Sequence, residues 1–500
     1  MNYLAEGQFG MKWQRFLNHR ALWVFLLLYL LHFIGGLWST DFAYWLKDVR
    51  IKLPLLVLPL VLGTSSPLPS KDIDRVLLGF VVAVLVSTLA SLLALLGIVP
   101  VELDGFRDLS LFISHIRFSL MILLALLVVL EKLFLRDKRP DGLTSALFGF
   151  CLLWFPVALV LLKSLSVVFI ALVLAVFYAG RFVAGIQDKV VRFMVLVPVL
   201  LLPLFALLYL SYAIDRFYSF DELPSAGELD ATTRLGNPYK HYTDKLQVEN
   251  GHYVWLYVCN EELDSAWRQA SDLDFLGPTH NGNSVRGTLV RYLTSKNLRK
   301  DAYGVSQLTP EEIDAIERGV ANYLYLKRFR LYPRIYEAIW EIDRYRSGGS
   351  PNEKSIVQRY LYLEAGWAIA RTHLWFGVGS GDVSAAFDAH YAAVDSPLSL
   401  KWRRRAHNQF LTFLIALGIP GFLLCVFSLI APLYLSGRAS GFLSSGFLLI
   451  ILLSMLSEDT LETAVGSVFV AFFYSLFILH PGESRKAESS NPGDGEAARS

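Results

Sequence analysis

Residues 407–421 read HNQFLTFLIALGIPG and open a long apolar run that starts with a histidine. On a helix with about 100° per residue, Gly418 lies about 20° from His407 around the axis, and Gly421 lies about 40° to the other side. The histidine and both glycines therefore share one predicted helix face. Glycine on a membrane helix lets a neighbouring backbone approach closely. The stretch predicts an imidazole at a water–lipid boundary, above a tight contact between helices.

A proline follows closely after the first of these glycines. Pro420 has no N–H, so the carbonyl of Ala416 loses its partner within the helix. We therefore predict a kink in this span.

Apolar residues dominate the chain and predict that most of it lies in lipid. Hydrophobic residues make up 54% of the 500 positions and the mean hydropathy is +0.44, a composition that a soluble globular chain does not show. Since about 20 apolar residues cross a bilayer, we predict an all-α, polytopic bundle of about 10–12 transmembrane helices. Ten spans are predicted, near residues 19–38, 51–65, 75–98, 109–132, 142–160, 164–181, 189–213, 407–436, 441–457 and 461–480.

Basic residues in the short loops predict the orientation of the chain. They cluster in alternate loops, around residues 71–75, 132–139 and 181–192, and positive loops lie on the cytoplasmic side. Both termini are therefore predicted to be cytoplasmic. Lys47, Arg50 and Lys52, in the first outside loop, depart from this rule.

This layout predicts four segments. They are an N-terminal transmembrane bundle of about seven spans at 1–213, one large and mainly helical periplasmic loop domain at 214–405, about three C-terminal spans at 406–481, and a polar, disordered cytoplasmic tail at 482–500. Thr309 and Glu312 have the spacing of a capping box at the start of a helix in the loop domain.

Charge and cysteine content exclude some classes of protein. The net charge is only +2, which argues against nucleic acid as a partner. Cys151 and Cys425 lie in apolar runs and only Cys259 lies in the polar segment, so the loop domain has no disulfide framework.

Three basic side chains stand near the predicted outer boundary, each with two interpretations. His407 is either a base that works near neutral pH or an interfacial histidine that only caps a helix. Arg117 lies near the outer end of the fourth span, where a charge is costly unless it meets an anion, lines a cavity or snorkels to the headgroups. Lys163, in the short link after the fifth span, has the same alternatives.

Two motifs resemble the O-antigen ligase and polymerase superfamily. That family has a His followed by Asn, Ser or Gln, with Gly-x-x-Gly at the spacing found here. Its outer-loop element, a Ser-x-x-x-Arg helix leading to a Gly-x-Gly turn, is similar to residues 355–383. The rest of the chain is similar in layout only. The matching positions are His407, Asn408, Gly418, Gly421, Ser355, Arg359, Gly377 and Gly379.

The resemblance implies a GT-C-like glycosyltransferase of the bacterial inner membrane. Such enzymes move a glycan from undecaprenyl diphosphate to a sugar hydroxyl, on lipid A core or another glycan, with no metal or cofactor and with membrane lipids around them. In this family the His activates the acceptor and outer-loop arginines hold the diphosphate. The departing diphosphate needs positive charge and the attacking hydroxyl needs a base. His407 is accordingly the implied catalytic residue.

The donor arginines are assigned from the same resemblance. Arg359 is the predicted diphosphate clamp, and a surface ion pair with Glu353 or Glu364 is the alternative. A second arginine is expected earlier in the loop domain, where Arg286 and Arg291 lie about 140° apart on a helix. Arg291 is slightly favoured because it lies within LVRYL, where an unpaired charge would be costly.

Other charged residues receive looser roles. Arg117 could meet the carrier diphosphate, and Lys163 precedes Ser164 where the family often has a Ser-Arg pair. Arg403, Arg404 and Arg405 could hold phosphates or anchor the chain at the headgroups. Glu458, Asp459 and Glu462 could orient His407, offset the arginines, or form a solvated loop. The accessory candidates are Asn408, Arg405, Lys163, Glu458 and Glu462.

Other functions stay open at this point. A polymerase or a protein O-oligosaccharyltransferase shares the donor chemistry, and the long continuous outer segment favours the ligase. A lipid-linked-glycan flippase or transporter would spread charges through its spans and show related halves. A scaffold for envelope assembly would leave His407 and Arg359 replaceable. The sequence GVGSGD at 377–382 lacks the preceding strand and the lysine of a nucleotide loop, so we interpret it as a flexible turn.

Overall fold

The computed structural model describes residues 3, 6–100, 109–136, 140–162, 164–225, 227–327 and 331–481. Lys163 and the predicted tail at 482–500 lie outside the described residues. The chain forms two compact units, of which the first contains residues 1–199 and 358–500 and the second contains residues 200–357.

The described residues are almost entirely helical. The first part of the chain forms α1 (Phe9–Asn18), α2 (Arg20–Ile34), α3 (Phe42–Lys52), α4 (Pro54–Thr64), α5 (Ser70–Leu95), α6 (His115–Leu130), α7 (Gly142–Leu161), α8 (Leu165–Ala184) and α9 (Lys189–Tyr218). The middle part forms a short antiparallel hairpin, β1 (Val248–Glu249) and β2 (His252–Tyr253), with α10 (Asn260–Ala270), α11 (Val285–Ser295), α12 (Ala302–Ser306), α13 (Pro310–Glu317) and α14 (Tyr332–Arg346). The last part forms α15 (Ser355–Thr372), α16 (Val383–Ala393), α17 (Gln409–Leu435), α18 (Phe442–Ser454) and α19 (Ala464–Tyr474).

Seven helices in the described ranges are long and apolar enough to cross a membrane. They are Arg20–Trp38, Ser70–Leu95, His115–Leu135, Gly142–Leu161, Ser166–Ala184, Lys189–Tyr218 and Gln409–Leu435. This confirms the prediction of an all-α, multi-pass membrane protein.

Three of the ten predicted spans form shorter helices than expected. The runs at 51–65, 441–457 and 461–480 give α4, α18 and α19, and α19 continues as one π-helical turn to Leu479. At about 1.5 Å per residue, the 11 residues of α4 reach only about halfway across a hydrocarbon core of about 30 Å. An apolar run alone therefore overestimates the number of full spans.

The second unit has a hydrophobic core of its own. Helix α11 contributes Val285, Leu289, Tyr292 and Leu293, which pack with Trp267 of α10. At the start of α13, the Thr309 side chain and the Glu312 side chain each accept the other residue's backbone N–H, so the predicted capping box is confirmed.

The boundary of the compact second unit differs from that of the predicted loop domain. We predicted one outer segment at 214–405, but residues from Gln358 onward pack with the first unit. A set of backbone hydrogen bonds accounts for the difference. The turn after α15 binds directly to α17, where the Val378 N–H donates to the Ile415 carbonyl at 2.8 Å and the Ile419 N–H donates to the Leu374 carbonyl at 2.7 Å.

The break in α17 makes this backbone contact possible. Gly418 has φ 67° and ψ −173°, which is not helical, and Pro420 cannot donate to the Ala416 carbonyl. That carbonyl instead accepts the Gly379 N–H at 3.0 Å. The predicted kink and the predicted close approach at Gly418 are both confirmed.

The glycine turn is held from its other side by the C-terminal end of α2 and the segment after it. The Ser380 hydroxyl donates to the His32 carbonyl at 2.8 Å, and the Asp382 carboxylate accepts the N–H groups of Thr40 and Asp41, both at 2.7 Å. The turn at 377–382 is therefore packed between two parts of the first unit. The interpretation of this turn as flexible is wrong.

The predicted shared face of His407 with the two glycines is also wrong. His407 lies in a bend two residues before the first residue of α17, and the helix is interrupted at Gly418. A single helical wheel does not apply across either point. Asn408 is the N-cap of α17, and its side chain accepts the Leu411 N–H at 2.9 Å.

We predict that Gly418→Ala destabilises the protein more than Gly437→Ala does. Both glycines have φ 67°, in a part of backbone space that favours glycine, and at Gly418, where ψ is −173°, the conformation is almost restricted to glycine. At Gly418 the added carbon would also lie 2.4 Å from the Trp375 carbonyl, whereas at Gly437 nothing lies within 4 Å. Thermal midpoints of the detergent-purified variants measure the difference. Equal midpoints would show that the backbone crossing is not tightly packed.

Candidate functional site

A cavity of about 360 Å³ in the first unit is lined by five of the ten predicted site residues. Four parts of the chain form its wall: the first turn of α6, helix α16, the segment before α17, and the loop between α18 and α19. Its lining residues are Arg117, Ser384, Phe387, Asp388, Tyr391, Arg403, Arg404, Arg405, His407, Glu458, Asp459, Glu462 and Thr463.

His407 is held in this cavity by its backbone. Its φ of 48° is in the left-handed region, which is strained for a non-glycine residue. Its N–H donates to the Asp459 carboxylate, which is itself buried and accepts the Thr412 hydroxyl at 2.8 Å. The imidazole lies 5.6 Å from the Tyr362 ring, between ring centres. Asp459 therefore fixes the conformation that turns the imidazole to the cavity.

The environment of His407 keeps its ring neutral. Burial, followed by the positive charges of Arg359, Arg404, Arg405 and Arg117, lowers its pKa from 6.5 to about 4. Both causes disfavour the imidazolium. At neutral pH the ring can accept a proton, as a general base must.

Arg359 pairs with a carboxylate of the acidic loop rather than with its sequence neighbours. Its Nη2 lies 3.2 Å from Glu458 Oε1, so the predicted alternatives Glu353 and Glu364 are not its ion-pair partners. Burial raises the pKa of Glu458, while Arg359 and Arg117 act in the opposite direction. The pair brings the predicted clamp beside the cavity that contains His407.

The Nε atom of Arg117 has no hydrogen-bond partner among the described residues. This arginine stands in the first turn of α6 and lines the cavity, and its Nε is buried. A buried, unpaired guanidinium nitrogen is costly, and an anion in the cavity would remove that cost. This geometry favours an anion or a cavity over snorkelling.

Arg405 belongs to a buried network of four charges. Its Nη1 lies 3.1 Å from Glu462 Oε2, and the other oxygen of Glu462 lies 2.9 Å from Lys52 Nζ. Lys52 also pairs with Asp48. Burial would raise the pKa of Glu462, but Lys52 and Arg405 hold it well below its usual value. The network balances two positive and two negative charges, so Arg405 is held by protein groups.

This network also explains the exception to the loop-charge rule. Lys52 is fully buried, so it is not an exposed loop charge of the kind that the rule counts. Its partner Glu462 follows it by about 400 residues in the sequence, and only the fold brings the two together.

Arg286 and Arg291 lie in the second unit, on α11, where each has a partner. Arg291 Nε donates to Glu249 Oε2 at 2.8 Å, and its guanidinium lies 4.9 Å from the centre of the Trp340 ring. Arg286 Nε donates to Asn260 Oδ1 at 3.0 Å. The apolar surroundings that favoured Arg291 therefore hold an ion pair within this unit. A donor-binding role for either arginine stays a prediction.

Asn408 has structural contacts at both ends of its amide. Besides capping α17, its Nδ2 donates to the Leu456 carbonyl at 3.0 Å. It ties the start of α17 to the end of α18 and so positions the residue before it.

Several lining residues carried no motif that could reveal them. Asp388 and Tyr391 lie on α16, whose Tyr391 hydroxyl donates to the Arg404 carbonyl at 2.7 Å. Asp459 was visible only as part of an acidic loop. The sequence contains only an indirect sign of this region, the charge of Lys52 at the edge of an apolar run, which pairs with the lining residue Glu462.

One comparison with known families found a match. Residues 319–426 match a family model described as O-antigen ligase. A comparison with curated proteins gave no match.

The matched range contains both motifs that we recognised in the sequence, so the predicted resemblance is confirmed. It includes Arg359, the turn at Gly377 and Gly379, His407 and Gly418. The other cavity residues Arg117 and Glu458 lie outside the matched range, and the fold alone brings them to the segment. The protein is thus a multi-pass membrane protein with a segment that is similar to the O-antigen ligase family.

The lowered pKa of His407 predicts a pH-dependent loss of stability. Between pH 6.5 and about 4 the unfolded chain binds a proton that the folded chain excludes, so stability falls as pH falls through this window. His407→Gln removes this term, worth roughly 1–2 kcal/mol at pH 5. The wild-type thermal midpoint should therefore fall further than that of His407→Gln between about pH 7.5 and 5.

The exposed histidine His280 provides the matched control for this measurement. His280→Gln should retain the wild-type dependence on pH. An identical pH dependence in wild type and His407→Gln would show that the imidazole is not held neutral by its surroundings.

Proposed function

We propose that the protein is an O-antigen ligase-type glycosyltransferase. In this proposal it moves a glycan from undecaprenyl diphosphate to a sugar hydroxyl of lipid A core, at the periplasmic face of the bacterial inner membrane and without a metal. The observation that carries the proposal is one cavity with a neutral imidazole, His407, beside Arg117, whose buried Nε has no hydrogen-bond partner among the described residues. A base and positive charge near the departing oxygens are the two groups that transfer from a diphosphate requires.

The proposed donor contacts use the arginines around the cavity. The diphosphate would bind the free Nε of Arg117 and displace Glu458 from Arg359, whose guanidinium can accept a phosphate in a bidentate fork. Burial already raises the pKa of Glu458, so this carboxyl can take up a proton once its arginine turns to the donor. Arg405 keeps its partner Glu462 and shapes the wall.

The reaction is a single displacement in this proposal. The acceptor hydroxyl oxygen attacks the anomeric carbon of the glycan, and its proton passes to the His407 ring. The bond between the anomeric carbon and the phosphate oxygen breaks, and both electrons leave with undecaprenyl diphosphate. The arginines stabilise the charge on the departing oxygens, the anomeric centre inverts, and the imidazolium returns its proton to water.

Donor binding would also strengthen the base. Four arginines lower the pKa of His407 in the empty cavity. The negative charge of a diphosphate would offset their effect and raise this pKa toward neutrality, where a general base works best. His407 would thus become an effective base only when the donor is in place, which limits proton uptake by an empty enzyme.

The orientation in the membrane is part of the proposal. Positive loops on the side away from His407 predict that both termini are cytoplasmic and that the cavity opens to the periplasm. A polymerase or a protein O-oligosaccharyltransferase would use the same donor contacts with a different acceptor. A transporter would have no need of a neutral base next to the arginines.

Reconstitution with defined acceptors tests the proposal. The purified protein is incubated with undecaprenyl-diphosphate glycan, without nucleotide and with a chelator of divalent metals. Lipid A core is offered in one reaction and a second donor molecule in another. Modified core supports the ligase, and chain lengthening alone selects the polymerase. No product with any acceptor would overturn the glycosyltransferase.

We predict that His407→Ala and Arg359→Ala each lower the rate of glycan transfer by about 100-fold or more. The first removes the base and the second removes charge from the leaving diphosphate. Arg371→Ala is the matched control because Arg371 lies on the same helix as Arg359 and is exposed, whereas only Arg359 pairs with Glu458 and acts on the pKa of His407. Its rate should stay within about twofold of wild type. Product formation is measured by gel shift of the acceptor, and wild-type rates in both variants would remove these residues from the site.

The pH dependence of transfer gives a second test of the base. Because the His407 ring must be neutral to accept a proton, kcat/KM of the free enzyme should fall as pH decreases through about 4. Arg404→Gln removes one of the positive charges that lower this pKa, so the acid limb should move to higher pH. Arg403→Gln is the control, since Arg403 is not among the four charges with the largest effect on the pKa of His407. An acid limb that is unmoved in Arg404→Gln contradicts His407 as the titrating group.

A further inference from the structure

A second, larger cavity lies at the other end of α17. Its volume is about 580 Å³, and its wall includes Gln14, Arg15, Asn18, Arg20 and Leu435. We call it the basal cavity. Helix α17 begins two residues after His407 and ends at Leu435, which is about 40 Å of helix. A bilayer with its headgroups is about 40–45 Å thick, so the basal cavity and His407 face opposite leaflets.

The wall of the basal cavity is basic. Arg15 and Arg20 line it, and no acidic side chain is among its lining residues in the described ranges. Arg15 Nη1 donates to the Thr64 carbonyl at 3.2 Å, which directs the guanidinium to this place. The Arg20 side chain is exposed and makes no ion pair or hydrogen bond within the described part of the chain. The cavity therefore offers two positive charges to an anion.

His19 contributes shape rather than charge to this wall. Its Nε2 lies 2.7 Å from the Leu479 carbonyl, and its Nδ1 accepts the Leu22 N–H at 3.2 Å. One ring nitrogen thus donates and the other accepts, which is the pattern of a neutral imidazole.

Helix α1 adds a second, independent observation. Met11, Gln14, Arg15 and Asn18 follow helical spacing and line the cavity. A different face carries Phe9, Trp13 and Leu17, which are 59%, 59% and 48% exposed. Three large apolar side chains in a row on one face are costly in water, but they suit a helix that lies in the boundary between headgroups and acyl chains. Trp13 is of the type that anchors such helices.

We propose that the basal cavity binds the headgroup of an anionic phospholipid, whose acyl chains lie beside the apolar face of α1. The phosphate meets Arg15 and Arg20, and the amides of Gln14 and Asn18 face the polar part of the headgroup. The proposal concerns the leaflet opposite His407 and does not depend on the proposed transfer reaction. It makes α1 an interfacial helix that is held in place by a specific lipid.

Lipid retention by the full-length protein tests the proposal. The protein is purified in a mild non-ionic detergent, and phosphatidylglycerol or phosphatidylcholine is added. Bound lipid is counted by native mass spectrometry, and the thermal midpoint is recorded for the same samples. We expect phosphatidylglycerol to be retained and to raise the midpoint, and phosphatidylcholine to do neither.

The matched variants distinguish the basal cavity from general surface charge. Arg15→Gln/Arg20→Gln should bind phosphatidylglycerol about thirtyfold more weakly. This factor assumes that each arginine contributes as much as one basic residue does at an anionic membrane surface. Lys71→Gln/Arg75→Gln removes two exposed basic residues elsewhere and should bind as wild type does. Arg20→Gln alone, which breaks no hydrogen bond, guards against a folding defect and should bind about fivefold more weakly.

Two results would overturn the proposal. One is equal retention of phosphatidylglycerol by wild type and by both arginine variants. The other is full stabilisation by inorganic phosphate at the same concentration, which would mark the cavity as a site for a free anion instead of a lipid.

Discussion

The backbone crossing between the glycine turn and the broken helix α17 is the contact on which the rest of the site depends. Three backbone hydrogen bonds join residues 374–379 to residues 415–419. They form because Gly418 leaves the helical conformation and because neither Gly418 nor Gly377 has a side chain to keep the two backbones apart. In lipid, an unpaired backbone group is expensive. The crossing satisfies the groups that the kink releases, and it fixes α15 and the segment before α17 to the membrane helices.

A buried network of four charges lies next to the cavity that contains His407. Lys52, Asp48, Arg405 and Glu462 neutralise one another in the interior, and Asp459 holds the strained backbone of His407. Four arginines and four carboxylates line the cavity, and the Nε of Arg117 has no hydrogen-bond partner among the described residues. Ion pairs give rigidity at little net gain in stability, whereas the Nε of Arg117 is available to an anionic substrate. Burial is the first cause of the lowered pKa of His407, and the nearby arginines add to it.

The two cavities lie at opposite ends of helix α17. The N-terminal end of α17 stands beside a base and several arginines, whereas its C-terminal end stands beside the basic wall that α1 and α2 provide. Helix α2 packs against α17, and His32 of α2 and Thr40 in the segment after it also hold the glycine turn. Helix α2 therefore contributes both to the wall of the basal cavity and to the support of the glycine turn.

The sequence by itself determined the all-α membrane class, the capping box at Thr309, the kink at Pro420 and the two motifs at 355–421, because each depends on local periodicity, on a missing N–H or on a short spacing. The tertiary structure decided the lengths of the helices, the ion-pair partners of the charged residues and the boundary between the two units. Three apolar runs fold into helices shorter than a full span, and residues from 358 onward belong to the first unit, where backbone hydrogen bonds join residues 374–379 to α17. The partners of Arg359, Arg291 and Lys52 come from 99, 42 and 410 residues away. No local pattern encodes such distant pairs, and only the folded chain brings those charges together.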